Sequence, residues 1–534
     1  MLSNGSSLGS LGFSEAVQSH NHLLHDAEYA LPRCCQSISQ GPQDSGSRSF
    51  PLLPTRVIDL GLGHPYSSAK SIRLHLATLS ERAPYVALSH RWGLGLKERM
   101  PSMTTLANIS QQCAKIDFND LPRTFQDAVK VTRMLGIHYL WIDAICIIQD
   151  DPRDWRLQST KMGFIFEHAS VTIAAHSSRN SADGFLRRRK VPECALTQAW
   201  DYNGAFEMVY MSEPKLTFAG NIGKSEINHR AWCLQELCLS RRIMHFVEDE
   251  VMWECFHKPV NLPGNQTPAQ VLRITESLRE LPNWLSIVEH YSSCKMTYRK
   301  DKLAAIAGLA RLWAIKSGAA STGSYHSGIW EDNLYTGLLW MNAGTDGNRL
   351  VKTWQPVPTW SWASVDGEIQ FHPGFWHGDR KSLSKRVSDD IVTLSFNYPD
   401  HGRSTDRYLG GKCTLRLRAM VAEGLTLSSA AQGEGLSFAP PSHGELSVLW
   451  KGSKTVGWAS LDNGFPLDED FPSGPGGPML HYIRISSVRG DNGRRCYVLV
   501  VRKDDKGDYV RLGLGCITQT DVFDNHTRRV VSIR

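Results

Sequence analysis

Between residues 85 and 177 short apolar runs alternate with helical stripes. "YVALSHRWG" (85–93) is apolar at its start and then stops at polar residues, the pattern of a strand buried on both faces. "LPRTFQDAVKVTRMLG" (121–136) puts Phe125, Ala128, Val129, Thr132 and Leu135 on one helical face, with Gly136 where a C-cap glycine belongs. "YLWIDAICII" (139–148) reads as a second buried strand. "DWRLQSTKMGFIFEHAS" (154–170) reads as a helix with Trp155, Met162, Ile165, Phe166 and Ala169 on one side, and "VTIAAHS" (171–177) as a third strand. This alternation predicts an α/β domain with a parallel sheet. Chemistry in such sheets gathers at the carboxyl ends of the strands, where loops and helix N-termini surround a crevice. The polar groups at those ends are Ser89, His90 and Arg91, then Asp143, then His176 and Ser177.

On either side the pattern changes. "LPTRVIDLG" (53–61) and "SIRLHLATL" (71–79) alternate and predict a hairpin leading into the fold. "WCLQEL" (232–237) falls in a helix from about Ala231 to Ser240, and "RRIMHFVEDEVMWEC" (241–255) predicts a hairpin about its acidic centre. Residues 256–282 read as an irregular insertion. "NWLSIVEHYSS" (283–293) and "DKLAAIAGLARLWAIKSG" (301–318) read as amphipathic helices, the second closing on Gly318. After a Gly/Ser-rich join (317–328), the tryptophans of "GIWEDNLYTGLLW" and "PTWSWASVDG" read as core. From "IVTLSF" (391–396) onward come "CTLRLRAMVA", "ELSVLW", "LHYIRISSV", "CYVLVVRK", "YVRLGLGCI" and "RVVSIR", a series of strands with "FPSGPGGP" (471–478) as a loop. The expected organisation is a flexible tail over 1–50, a core domain over 51–256, a helical and Trp-rich accessory region over 257–385, and a β-rich domain over 386–534.

Composition narrows the functional classes. A chain of 534 residues exceeds a single typical core, and 41% hydrophobic with 21% charged residues is an ordinary globular balance. The net charge of +6 is small against 59 basic and 53 acidic residues, and the one dense basic run, "LRRRK" (186–190), reads as a solvated loop, so no nucleic-acid partner is expected. Twelve cysteines lack CxxC or zinc spacing, which fits reduced thiols, a cytoplasmic protein and no metal. No run has the length to cross a bilayer, so no membrane association is expected. "HNH" (20–22) is three letters in the tail. Walker A and G-x-G-x-x-G patterns are missing, and so is the G-x-S-x-G elbow that a hydrolase built on Ser89 and His90 calls for.

Six motifs in order, "LPTRVIDLG", "YVALSHRWG", "LPRTFQDAV", "YLWIDAICIIQDDPRDW", "VTIAA" and "RAWCLQELCLSRRIMHF", resemble the fungal heterokaryon-incompatibility (HET) domain. "MTYRKDKLAAIAGLA" and "PTWSWAS" resemble segments that accompany it. His90 and Arg91 stand where that family commonly shows Tyr or His and then Cys; Ala231 and Cys233 stand where Gly and Thr are common. HET domains are in turn remotely similar to TIR domains. The resemblance therefore implies a TIR-like or flavodoxin-like α/β core and a part in self/non-self recognition and defence-type programmed cell death, with a homo-oligomer or an incompatibility partner protein. In many TIR domains a helix carries W-C-x-x-E-L, and "WCLQEL" fits it letter for letter; in catalytic members that glutamate is required to cleave nicotinamide from NAD. Carried over by position, the catalytic candidate is Glu236, with NAD(P) as substrate and no cofactor.

The chemistry is consistent with that transfer. Breaking the nicotinamide–ribose bond develops oxocarbenium character, which a nearby carboxylate stabilises. Trp232 and Cys233 lie four and three positions before Glu236, on the same helical face. Arg91 could hold a diphosphate, Asp143 could accept from a ribose hydroxyl, and Ser89 and Trp232 complete the expected substrate-binding set. Each has a plainer reading: Glu236 as a solvated helix face, Asp143 as a turn cap, Arg91 as an ion-pair partner of Asp143 or Glu236. Two other functions stay open, a non-enzymatic homotypic signalling module and a biosynthetic enzyme acting on a small organic substrate.

Overall fold

A computed structural model describes residues 50–61, 72–93, 102–187, 195–200, 206–211, 225–248, 251–255, 283–317, 324–343, 351–352, 357–371, 387–389, 391–398, 408, 410–429, 446–462, 479–490, 493–524 and 526–534. The tail over 1–49, the insertion over 256–282, residues 318–323 of the Gly/Ser-rich join, with the expected helix end at Gly318, and the 471–478 loop lie outside the described residues. The chain divides into two compact units, Met1–Glu280 and Leu281–Arg534.

In the first unit, strands β1 (Arg56–Asp59), β2 (Arg73–Leu76), β3 (Tyr85–Ser89), β4 (Tyr139–Trp141), β5 (Val171–Ala174), β8 (Arg242–Phe246) and β9 (Val251–Cys255) form a sheet in the order β2-β1-β4-β3-β5-β8-β9. A separate hairpin pairs β6 (Ala195–Trp200) with β7 (Phe206–Met211). The helices are α1 (Ile109–Ala114), α2 (Arg123–Met134), α3 (Asp143–Cys146), α4 (Pro152–His168) and α5 (Ala231–Leu239). Both expected hairpins are present, β1 with β2 and β8 with β9. The sheet is mixed rather than parallel throughout, however. Only β4, β3, β5 and β8 run the same way; β1 enters antiparallel beside β4 because it belongs to a hairpin, and β9 returns from β8 for the same reason.

Local signals explain the helix ends. Gly136 has φ +68°, and the Gly136 and Ile137 N–H groups donate to the Arg133 and Thr132 carbonyls, a Schellman closure of α2. Asp151 caps α4 by accepting from Arg153 N at 2.9 Å, with Pro152 at the first helical position, where a missing N–H costs nothing. The "QDDPRDW" segment is tied inward as well. Asp154 accepts from the Arg56 guanidinium and, at 2.8 Å, from Ile148 N, while Arg56 Nε donates to the Cys146 carbonyl at 2.7 Å.

Every residue of α5 except Trp232 is buried, so the helix carries no solvated face. Cys233 and Leu237 pack with Ala174 and Ile243 on the sheet and with Ile227 in the turn before α5. The far end of α5 is fastened by hydroxyls. Ser240 Oγ donates to the Glu236 carbonyl at 2.7 Å, and because a serine has one proton to give, Thr172 on β5 donates to Ser240 Oγ at 2.6 Å.

In the second unit, helices Trp284–Ser292 and Ala307–Ser317 accompany the buried tryptophans Trp330, Trp340, Trp360 and Trp362, and among the described residues three two-stranded pairs are followed by an eleven-stranded sheet that is almost entirely antiparallel. The segment from Asp301 to Ile306 departs from the expected continuous helix: it forms two separate 3-10 turns, Arg299–Asp301 and Ala304–Ile306. Lys302 is the reason. Its Nζ donates to the Val365 carbonyl at 2.5 Å, and its own carbonyl accepts from Tyr291 Oη at 2.5 Å, bonds that an unbroken helix does not make.

Candidate active site

The register of the parallel strands decides which side chains meet. Ser89 on β3 pairs with Ala174 on β5, which pairs with His245 on β8, and Ala87 pairs with Trp141 at the end of β4. The carboxyl ends of four strands therefore lie side by side, with Ser89, Asp143, His176 and His245 at or just beyond them. Helix α5 contacts β3 and so brings Glu236 to this edge.

Glu236 is 6% exposed, which rules out the solvated-face reading. Its carboxyl pKa is raised from 4.5 to about 7, first because burial penalises the charge and then because Asp143 lies near; Ser89, Arg230 and Cys233 pull it back down. These influences place Ser89, Asp143, Arg230 and Cys233 around one carboxyl group. The fully buried Ser89 hydroxyl lies within reach of both the Glu236 carboxyl and the Cys233 thiol. Burial, reinforced by Glu236, raises the Cys233 thiol well above its ordinary value, which keeps it protonated and unreactive.

Asp143 does cap its own turn, accepting from Ala144 N at 2.7 Å, and its other oxygen accepts from Trp92 Nε1 at 2.8 Å. A carboxylate has about four acceptor positions, so these two bonds leave it able to accept from a ligand. His90 Nδ1 stands 4.0 Å from Asp143, but burial lowers the imidazole to about 4, so at neutral pH the two do not form an ion pair. Trp232, the half-buried residue of α5, meets Trp155 edge-on with ring centroids 6.3 Å apart. Arg91 faces Glu226 at 3.7 Å rather than Asp143 or Glu236. The cation felt by Glu236 is Arg230, which also donates to the His90 carbonyl at 3.0 Å.

Arg230 and Trp92 were not singled out from the sequence, although Arg230 stands directly before "AWCLQEL" and Trp92 directly after "SHR". Among the described residues no cluster of three or more His, Cys, Asp or Glu is arranged to hold a metal. No helix among them is long and apolar enough to cross a membrane.

This glutamate-bearing strand edge lies within one recognisable stretch. Residues 85–236 match the family model of the heterokaryon incompatibility protein (HET). The HET match opens on Tyr85, the first residue of β3, and closes on Glu236 itself. Comparison with curated proteins and with solved structures gives no match. Ser89, Asp143, Arg230, Trp232 and Glu236 all belong to the HET segment, whereas the β8–β9 hairpin lies beyond it.

The hydroxyl brace behind Glu236 is open to test. Ser240→Ala removes both of its bonds and leaves the fully buried Thr172 hydroxyl without that acceptor, so we expect a loss of about 1–2 kcal/mol in urea unfolding. A change within about 0.5 kcal/mol would mean that the brace contributes nothing.

Proposed function

We propose that the HET segment acts in heterokaryon incompatibility and defence-type cell death by NAD(P) glycohydrolysis at a TIR-like site, with Glu236 as the catalytic carboxylate. The observation that carries this reading is the gathering of Ser89, Asp143 and Arg230 about a buried Glu236 whose pKa sits near 7. Cleavage breaks the bond from ribose to nicotinamide nitrogen, and water supplies the oxygen that replaces it. The ionised Glu236 stabilises the positive sugar as that bond lengthens, in a setting with little water to screen it. Asp143 accepts from a ribose hydroxyl, Ser89 orients the Glu236 carboxyl, and Trp232 with Trp155 offers an aromatic wall to a nucleotide ring. Arg91 serves the diphosphate by leaving Glu226, a half-exposed pairing that costs little to break.

The direct test is incubation of the purified full chain with NAD and detection of free nicotinamide. Release above the uncatalysed rate is the expected result; none from folded protein over hours, in either monomeric or oligomeric fractions, overturns the proposal. At the level of the cell, strong expression of the full chain in a filamentous fungus should arrest growth, and Glu236→Gln expressed to the same level should not. Growth arrest by both forms would favour a non-enzymatic assembly role, and arrest by neither a biosynthetic one.

A further inference from the structure

Beyond the surroundings of Glu236, four polar side chains at the same strand ends form one continuous chain of hydrogen bonds. Ser225 Oγ lies 2.8 Å from His176 Nδ1, His176 Nε2 lies 2.9 Å from His245 Nδ1, and His245 Nε2 lies 3.0 Å from Glu254 Oε2. The ring centroids of His176 and His245 lie 5.1 Å apart with the planes 25° from parallel, the arrangement of two imidazoles joined edge to edge through that bond. His245 and Glu254 are 1% and 4% exposed. The hairpin register explains their meeting: Glu254 stands opposite Ile243, two residues before His245, so both point to the same face of the β8–β9 pair.

The terminal carboxylate fixes the direction of every proton in the chain. A carboxylate can only accept, so with Glu254 in that form His245 Nε2 donates to it and His245 Nδ1 accepts. His176 Nε2 is then the donor to His245, which makes His176 Nδ1 an acceptor too. That acceptor is served by the Ser225 hydroxyl, whose oxygen also accepts from Ile227 N at 3.4 Å. Burial, together with His245, holds His176 well below its ordinary pKa, so its imidazole stays neutral at neutral pH.

We propose that Ser225 is a nucleophile for acyl groups, activated by His176 and by the positioning residues His245 and Glu254, at a site separate from the carboxyl of Glu236. In the first step Ser225 Oγ bonds to the carbonyl carbon of an ester. Its proton passes to His176 Nδ1, and the bond from His176 Nε2 to His245, which Glu254 orients, stabilises the imidazolium so formed. Collapse of the tetrahedral adduct breaks the ester C–O bond, and the departing alkoxide takes that proton from His176. Water then cleaves the acyl-serine by the same route, releasing a carboxylic acid and restoring the hydroxyl. Two members of the relay, His245 and Glu254, lie outside the HET match, so a motif confined to 85–236 does not contain it.

The experiment is labelling of the full-length protein with an alkyl fluorophosphonate, which needs no NAD and is independent of nicotinamide release. Phosphorus bonds to the serine oxygen, fluoride leaves and His176 takes the proton. The expected result is an adduct that maps to the Ser225 peptide, is absent from Ser225→Ala, and forms at least tenfold more slowly in His176→Ala and in Glu254→Gln at unchanged near-ultraviolet circular dichroism. Should His176→Ala fail to fold, Glu254→Gln decides alone, since it retains an oxygen acceptor for His245 and loses only the charge. No adduct at Ser225 in wild type, an adduct at another serine only, or an unchanged rate in Glu254→Gln overturns the proposal.

Discussion

Glu236→Gln is expected to lower nicotinamide release at least a hundredfold and, at pH 8, to make the protein more stable than wild type. The first effect is the loss of a charge that acts on the transition state, on the order of 3 kcal/mol or more. The second follows from burial. Glu236 has its carboxyl raised from 4.5 to about 7 in the folded chain, so the folded state holds this proton more tightly than the unfolded one. Below about pH 4.5 both states are protonated and stability is full; between about 4.5 and 7 only the unfolded state ionises and stability falls; above that range the loss is complete. At about 1.4 kcal/mol per tenfold in acidity the loss is about 3 kcal/mol. Glutamine does not ionise, so the two proteins should melt alike near pH 4.5 and diverge as pH rises, the variant being the more stable. Wild-type turnover should rise through the same range as the carboxylate forms. Melting curves that stay parallel from pH 5 to 8 would show that Glu236 ionises without penalty. Equal turnover of the two proteins would remove its catalytic role.

The second large effect belongs to the C-terminal unit. Arg511, 3% exposed, donates through Nε to Asp462 Oδ2 at 2.9 Å and through Nη2 to Oδ1 at 3.3 Å. Its guanidinium also donates to the Leu338 and Trp340 carbonyls and lies 3.5 Å from the centre of the Trp340 ring. Arg511→Met keeps the volume and removes the charge. It strands a buried carboxylate and two carbonyls, so a loss of about 3–5 kcal/mol is expected in the unfolding transition of this unit. Asp462→Leu added to Arg511→Met should recover part of that loss, because no unpaired charge then remains. A single variant within about 1 kcal/mol of wild type would mean that water reaches Asp462 and solvates it.

Much of the first unit was legible because local and long-range signals agreed. The strands over 85–89, 139–141 and 171–174 and the helices between them follow from apolar runs and 3.6-residue stripes, and their shared direction brought Ser89 and Asp143 to one edge. The helix carrying Glu236 was legible too, but its burial on every side except Trp232 was not, since "WCLQEL" does not reveal how many neighbours cover it. Arg91 was linked to the carboxylates by its place just beyond a strand end, whereas the structure sets it against Glu226, in the turn before α5. The histidine relay was illegible for a different reason. It depends on β8 lying next to β5 and on the register of a hairpin, so residues 176, 225, 245 and 254 share nothing in sequence that marks them as neighbours. Lys302 illustrates the converse, where a favourable helical pattern yields to tertiary hydrogen bonds.

The Thr172–Ser240–Glu236 brace has a bearing on how such a chain can change over generations. It refers the backbone of Glu236 to strand β5 through two hydroxyls, and not to the separate β6–β7 hairpin. Change in that hairpin is thereby uncoupled from the position of the Glu236 carboxyl, which stays in register with the sheet.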